Sequence, residues 1–136
     1  PGRLEVVSRE PLMILDGAHN PHAVKALLAT LEERFADYHK EILFTCIKTK
    51  ALDQMLDMLE NLPDSEIILT HFEDSRATDE KVLQEAAASR NLNYKAWQEF
   101  LDQTLNVDEE KKTVRIVTGS LYFLSQVRAY LMERKN

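Results

Sequence analysis

The stretch that most restricts how this chain can fold is Leu12-Met13-Ile14-Leu15-Asp16-Gly17-Ala18-His19-Asn20-Pro21. An apolar run ends abruptly in an acid, a glycine, a histidine and an Asn-Pro pair. The run reads as a buried strand. Asn20-Pro21 reads as a helix start, because Asn is a favoured N-cap and proline fits the first turn, where its missing N–H costs nothing. Asp16, His19 and Asn20 therefore lie on a short loop joining a strand's C-terminal end to a helix's N-terminal end. Ligands of open α/β sheets bind on that side. The free N–H groups and dipole of the helix end favour anions there.

The same alternation continues through the chain. Leu4–Ser8 reads as a strand that turns at Glu10-Pro11 and pairs antiparallel with Leu12–Leu15. Val24, Leu27, Leu28, Leu31 and Phe35 recur at helical spacing, predicting a helix from Pro21 to Ala36. Ile42–Phe44 predicts a core strand, and Leu52, Met55, Leu56 and Leu59 a helix closed by Pro63. Ile67–Leu69 is the next strand, followed by a polar loop, Thr70–Thr78, with Thr78 as an N-cap. Val82, Leu83 and Ala86 form the inward face of a helix reaching Arg90. Tyr94–Trp97 predicts a strand, Phe100, Leu101 and Leu105 a brief helix, and Asp108–Lys112 a solvated charge run. Val114–Val117 is the last strand, and Leu121, Leu124 and Leu131 the apolar face of a final helix. The pattern predicts a Rossmann-like, three-layer α/β sandwich with a mostly parallel sheet of about six strands and an antiparallel first strand. Right-handed crossovers then bring Asp16–Asn20, Thr45–Lys50, Thr70–Thr78 and Thr118–Ser120 to one edge of the sheet.

Composition narrows the class. The 136 residues suit a single domain, and 44% hydrophobic with 29% charged residues is an ordinary globular balance. A formal charge of −6 argues against a nucleic-acid partner. No apolar stretch approaches the ~20 residues that span a bilayer. The lone Cys46 cannot form an internal disulfide, which fits a cytoplasmic location. The chain opens Pro1-Gly2-Arg3 without an initiator methionine, and the expectation is a segment of a longer protein.

The polar loop residues admit plain and functional readings. Asp16 can accept hydrogen bonds from ribose hydroxyls or cap its own turn. His19 can bind an anion or move a proton, or simply bond neighbouring backbone. Asn20 is first an N-cap. In Thr118-Gly119-Ser120, a hydroxyl can cap the last helix, Gly119 allows a close approach, and a small carboxylate can dock on the helix N–H groups. Lys48 and Lys50 can supply positive charge or only solubility. No G-x-x-x-x-G-K-[ST] loop is present, no Cys/His cluster suggests zinc, and no G-x-S-x-G elbow supports a Ser120-His19-Asp16 hydrolase.

Four segments occur in order: Pro1-Gly2-Arg3-Leu4-Glu5, Leu15-Asp16-Gly17-Ala18-His19-Asn20-Pro21, Ser75-Arg76-Ala77 and Thr118-Gly119-Ser120-Leu121-Tyr122-Phe123. Together they resemble the C-terminal domain of folylpolyglutamate synthases, often bifunctional with dihydrofolate synthase, in the Mur ligase superfamily. The resemblance implies an ATP-dependent ligase that phosphorylates a folate or pteroate carboxyl group and lets the amine of L-glutamate attack the acyl phosphate. It implies that residues 1–136 form one C-terminal domain. The partner N-terminal ATPase domain, absent from this sequence, would carry the phosphate loop, most of the folate or dihydropteroate site and the Mg2+ ligands. The isolated domain is expected to be inactive, and the enzyme to be a cytoplasmic monomer. Residue by residue, Arg3 and Asp16 would contact ATP. His19 would face the reaction centre, and His19, Asn20 and Ser120 would bind glutamate. Lys50 would approach the amino acid, although Thr49-Lys50-Ala51 lacks the acid that flanks this lysine elsewhere in the family. No metal ligand is expected in this domain. Two competing expectations are a stand-alone nucleotide or amino-acid binding module and a cell-wall Mur-type ligase domain.

Overall fold

The structure is a computed structural model that describes residues 4–103 and 112–134. Six strands, β1 (Glu5–Arg9), β2 (Leu12–Asp16), β3 (His39–Phe44), β4 (Ser65–Leu69), β5 (Asn93–Tyr94) and β6 (Thr113–Thr118), form one open sheet in the order β1-β2-β6-β3-β4-β5. Only β1 runs antiparallel, and the cis Glu10–Pro11 peptide sits in its turn to β2. The other pairings are parallel. This is the mixed sheet that the alternation of elements predicts.

Among the described residues, five helices cover the sheet: α1 (Pro21–Arg34), α2 (Leu52–Glu60), α3 (Glu80–Arg90), α4 (Trp97–Asp102) and α5 (Leu121–Arg134). Side chains alternate between faces along each strand. Ile14, Ile42, Phe44, Ile67, Leu69 and Ile116 therefore share a core with Leu27 and Leu31 of α1, Met55 and Leu59 of α2, and Ala87 of α3. Met13, Leu15, Leu43, Ile68 and Val117 pack instead with Trp97 and Phe100 of α4 and with Phe123 and Val127 of α5. Covering both faces lets the central strands be continuously apolar. Two cations are buried in this frame. Lys40 donates to the carbonyls of Phe35 and Tyr38, beyond the last turn of α1, at 3.3 and 2.8 Å. Arg115 lies between Glu41 and the ring of Phe100.

Several local expectations need correction. Thr78 does not cap α3: Asp79 holds that position without a side-chain bond, and the Thr78 hydroxyl donates to the Ile47 carbonyl. The fourth predicted strand shrinks to Asn93–Tyr94, and Trp97 opens α4 because its ring packs on Phe123 and Tyr130. Val82 and Leu121 face solvent; Ala87 and Val127 take the inward places on their helices. Leu105 and residues 108–111 of the charge run lie outside the described residues.

The four polar exits do converge. Thr45 N–H donates to the Thr118 carbonyl, the Thr118 hydroxyl to the Ala18 carbonyl, and Thr78 N–H to the Cys46 carbonyl. Gly119 is what lets the exits of β3 and β6 meet. Its φ is +120°, and a Cβ there would stand 1.5 Å from the Thr45 carbonyl oxygen. Gly119→Ala should therefore cost about 3 kcal/mol or more, from backbone strain and a clash that only main chain can relieve. A urea titration against the parent chain checks this.

Candidate functional site

The chain leaves β2 and enters α1 on one face, whereas it leaves the neighbouring β6 and enters α5 on the other. Loops that depart to opposite faces open a crevice between their strand ends, the usual ligand position in such sheets. Asp16 and Thr118 are register partners at that point. A cleft of about 660 Å³ opens beside it, lined by Leu4, Asp16, Gly17, Ala18, His19 and Leu121 and extending along α1 to Thr30 and Arg34.

Asp16 is 7% exposed, and each carboxylate oxygen holds one backbone N–H. Oδ1 accepts from Leu4 and Oδ2 from Ala18, both at 3.0 Å. The first bond anchors Leu4, whose φ of +44° is unusual for a branched residue. His19 is exposed, with Nδ1 2.9 Å from the Gly17 carbonyl. A carbonyl only accepts, so Nδ1 carries a proton, and the lone pair of the neutral tautomer this bond selects is on Nε2. Asn20 caps α1 as predicted: Oδ1 accepts from Ala23 N–H at 2.8 Å, with Pro21 at the start of the helix. Its amide nitrogen has no partner among the described residues.

Ser120 is 2% exposed and caps α5, its Oγ accepting from Tyr122 and Phe123 N–H at 3.1 and 3.4 Å. Those two N–H groups are thus occupied, and Ser120 keeps only its hydroxyl hydrogen to give. Lys50 is exposed on the β3–α2 loop and does not line the cleft, so the structure does not bring it to Asp16 and His19. Arg3 lies outside the described residues. Sequence reasoning assigned no role to a clamp beside the cleft. Arg76 makes a two-pronged bond to Asp74 at 2.8 and 2.9 Å and stacks 3.5 Å over the Tyr122 ring, two residues after Ser120. The guanidinium holds the Asp74 carboxyl down at about 2. Gln126 of α5 adds a bond to the Glu73 carbonyl. The signals available were the Asp-x-Arg spacing and an aromatic in the first turn of α5.

Among the described residues Asp16 is the only carboxylate lining the cleft, and both its oxygens already hold N–H groups, so a resident metal does not fit them. A hydroxylated or anionic ligand does fit. Each Asp16 oxygen retains a further lone pair, and the His19-Asn20 corner offers an amide N–H2 at a helix N-terminus. Asp16→Asn should cost about 1–3 kcal/mol, because an amide can accept only one of the two N–H bonds and buries the other unpaired. Chemical denaturation checks the loss; an unchanged midpoint would contradict the pairing.

A family model described as the glutamate ligase domain of Mur ligases matches residues 2–121. A dihydrofolate synthase/folylpolyglutamate synthase of Bacillus subtilis is 37% identical over 134 residues, covering 96% of this chain and 30% of that protein. A folylpolyglutamate synthase of Lacticaseibacillus casei is 30% identical, covering 100% and 31%. The fold is shared with Mycobacterium tuberculosis folylpolyglutamate synthase complexed with ADP and AMPPCP, at 27% identity and a TM-score of 0.78, covering 96% of this chain and 32% of that one. The chain thus spans about a third of the length of these relatives. It belongs to the Mur ligase glutamate ligase domain family.

Proposed function

We propose that this chain is the C-terminal domain of a longer, cytoplasmic, monomeric ligase that adds L-glutamate to a folate, and in a bifunctional form to dihydropteroate, using ATP. The observation that carries the reading is the Asp16–Asn20 loop, set in the crevice beside β6 with the Ser120-capped end of α5 on its far side. The folate branch is favoured over cell-wall ligases because the curated relatives above are folate enzymes. No helix among the described residues is long and apolar enough to cross a membrane.

The division of labour follows from what each group has left to give. Asp16 offers its remaining lone pairs to ribose hydroxyls, and Arg3 adds a cation to the nucleotide. Asn20 offers its amide N–H2 to a glutamate carboxylate, and Ser120 its hydroxyl hydrogen. Lys50 comes to the amino acid only if its loop or the partner domain closes the distance. His19 presents the Nε2 lone pair to the glutamate ammonium group, taking the proton that must leave before the amine can attack. ATP supplies the activation of the acceptor carboxyl group. Mg2+ belongs to the N-terminal ATPase domain; among the described residues Asp16 is the one carboxylate lining this cleft, and each of its oxygens already holds an N–H group. The remainder is positioning and charge stabilisation.

In the full-length enzyme, His19→Ala should lower kcat about 10²-fold or more with either pterin substrate, the usual scale for a general base. Ser120→Ala should raise the KM for glutamate more than that for ATP. Steady-state assays of glutamate incorporation separate these effects. Full activity in His19→Ala would remove the loop from the reaction centre, and absence of incorporation with any pterin would favour a binding module.

A further inference from the structure

At the pole of the sheet opposite the cleft lies a charge arrangement that packing does not explain. Glu41 of β3 and Glu66 of β4 are direct register partners, so two carboxylates face each other where like charges destabilise a sheet. His39 precedes Glu41 by two residues and shares its face. A ring nitrogen of His39 and one carboxylate oxygen of each glutamate lie within 4.8 Å of one another.

Each of the three is also held from behind. His39 Nδ1 is 2.9 Å from Asp64 Oδ1, Arg115 Nε donates to Glu41 Oε1 at 3.2 Å, and Asn93 donates to Glu66 Oε2 at 2.5 Å. A carboxylate bonded to Nδ1–H leaves the lone pair of the neutral ring on Nε2. Arg115 pairs with Glu41 through Nε alone and has no bond to Glu66. It is 1% exposed, gives Nη2 to the Phe100 carbonyl, and leaves Nη1 buried without a partner among the described residues. Glu41 Oε2 and Glu66 Oε1 consequently have no partner among the described residues.

We propose that His39, Glu41 and Glu66 bind a divalent transition-metal ion, zinc by the ligand chemistry, with water completing a tetrahedron. One imidazole and two carboxylates are a zinc donor set, and donors about 2.0–2.2 Å from one ion stand closer together than the 4.8 Å limit found here, so the three side chains close on the ion as it binds. Asp64, Arg115 and Asn93 are the outer partners that orient such ligands. The ion neutralises the facing carboxylates and ties β3 to β4, so its role is structural. The ligands come from two strands brought into register by the fold, which is why no sequence spacing announces them.

The test is a titration of the chelator-treated chain with zinc chloride against a chromophoric chelator, with thermal melts in parallel. The expected result is stoichiometric binding that raises Tm and disappears in His39→Ala and Glu66→Gln. In Asn93→Ala it should weaken about tenfold, the effect of losing one outer partner. Circular dichroism confirms folding, and the near-isosteric Glu66→Gln keeps the test open should His39→Ala not fold. Absence of stoichiometric binding overturns the proposal. So does binding unchanged in either ligand variant, which would place the ion on His19, His22 or His71.

Discussion

The Asp16 carboxylate is the interaction on which the candidate site depends. Its two oxygens reach backbone N–H groups on opposite sides, Leu4 where the chain enters the edge hairpin and Ala18 where it turns toward α1. One nearly buried side chain thus holds Leu4 and Ala18, which line one wall of the cleft, and it does so at the strand end where parallel topology leaves a crevice. An apolar residue here would leave two N–H groups unpaired, and an amide would leave one. The same acid is therefore required by the fold and lines the cleft.

The other wall depends on a different economy. Gly119 has no side chain, so the β6 exit can press against the Thr45 carbonyl and the Ser120 hydroxyl can close the first turn of α5. The Arg76–Tyr122 stack and the Gln126–Glu73 bond then fasten the Thr70–Thr78 loop to that helix. These contacts bring four loops to one edge with little freedom, the condition a site needs when its work is mainly orientation. The opposite pole is built on other terms, with partly buried carboxylates on adjacent strands and a buried guanidinium only partly committed to them.

Much of this was legible in the chain itself. The Leu12–Leu15 run, the Asn20-Pro21 start and the helical spacing of Val24, Leu27 and Leu31 each reflect local rules, and the structure follows them closely. Thr118-Gly119-Ser120 showed both a cap and a close approach, and both are present. Thr78 misled because its hydroxyl finds the Ile47 carbonyl, a partner 31 residues away that local pattern cannot supply. Leu121 reads as core by spacing, yet it lies 53% exposed on the cleft rim. The Asp74–Arg76–Tyr122 clamp and the His39, Glu41 and Glu66 group arise only when separate elements come into register. Pairings of that kind leave no period in a sequence.

The most direct test of the central claim, that this domain serves carboxyl activation followed by glutamate attack, is isotope transfer in the full-length enzyme. The acceptor's terminal carboxylate is labelled with ¹⁸O, and the phosphate released during glutamate addition is analysed by mass spectrometry. Activation through an acyl phosphate requires one labelled oxygen to appear in the phosphate with each amide formed. Amide formation with unlabelled phosphate would contradict the account.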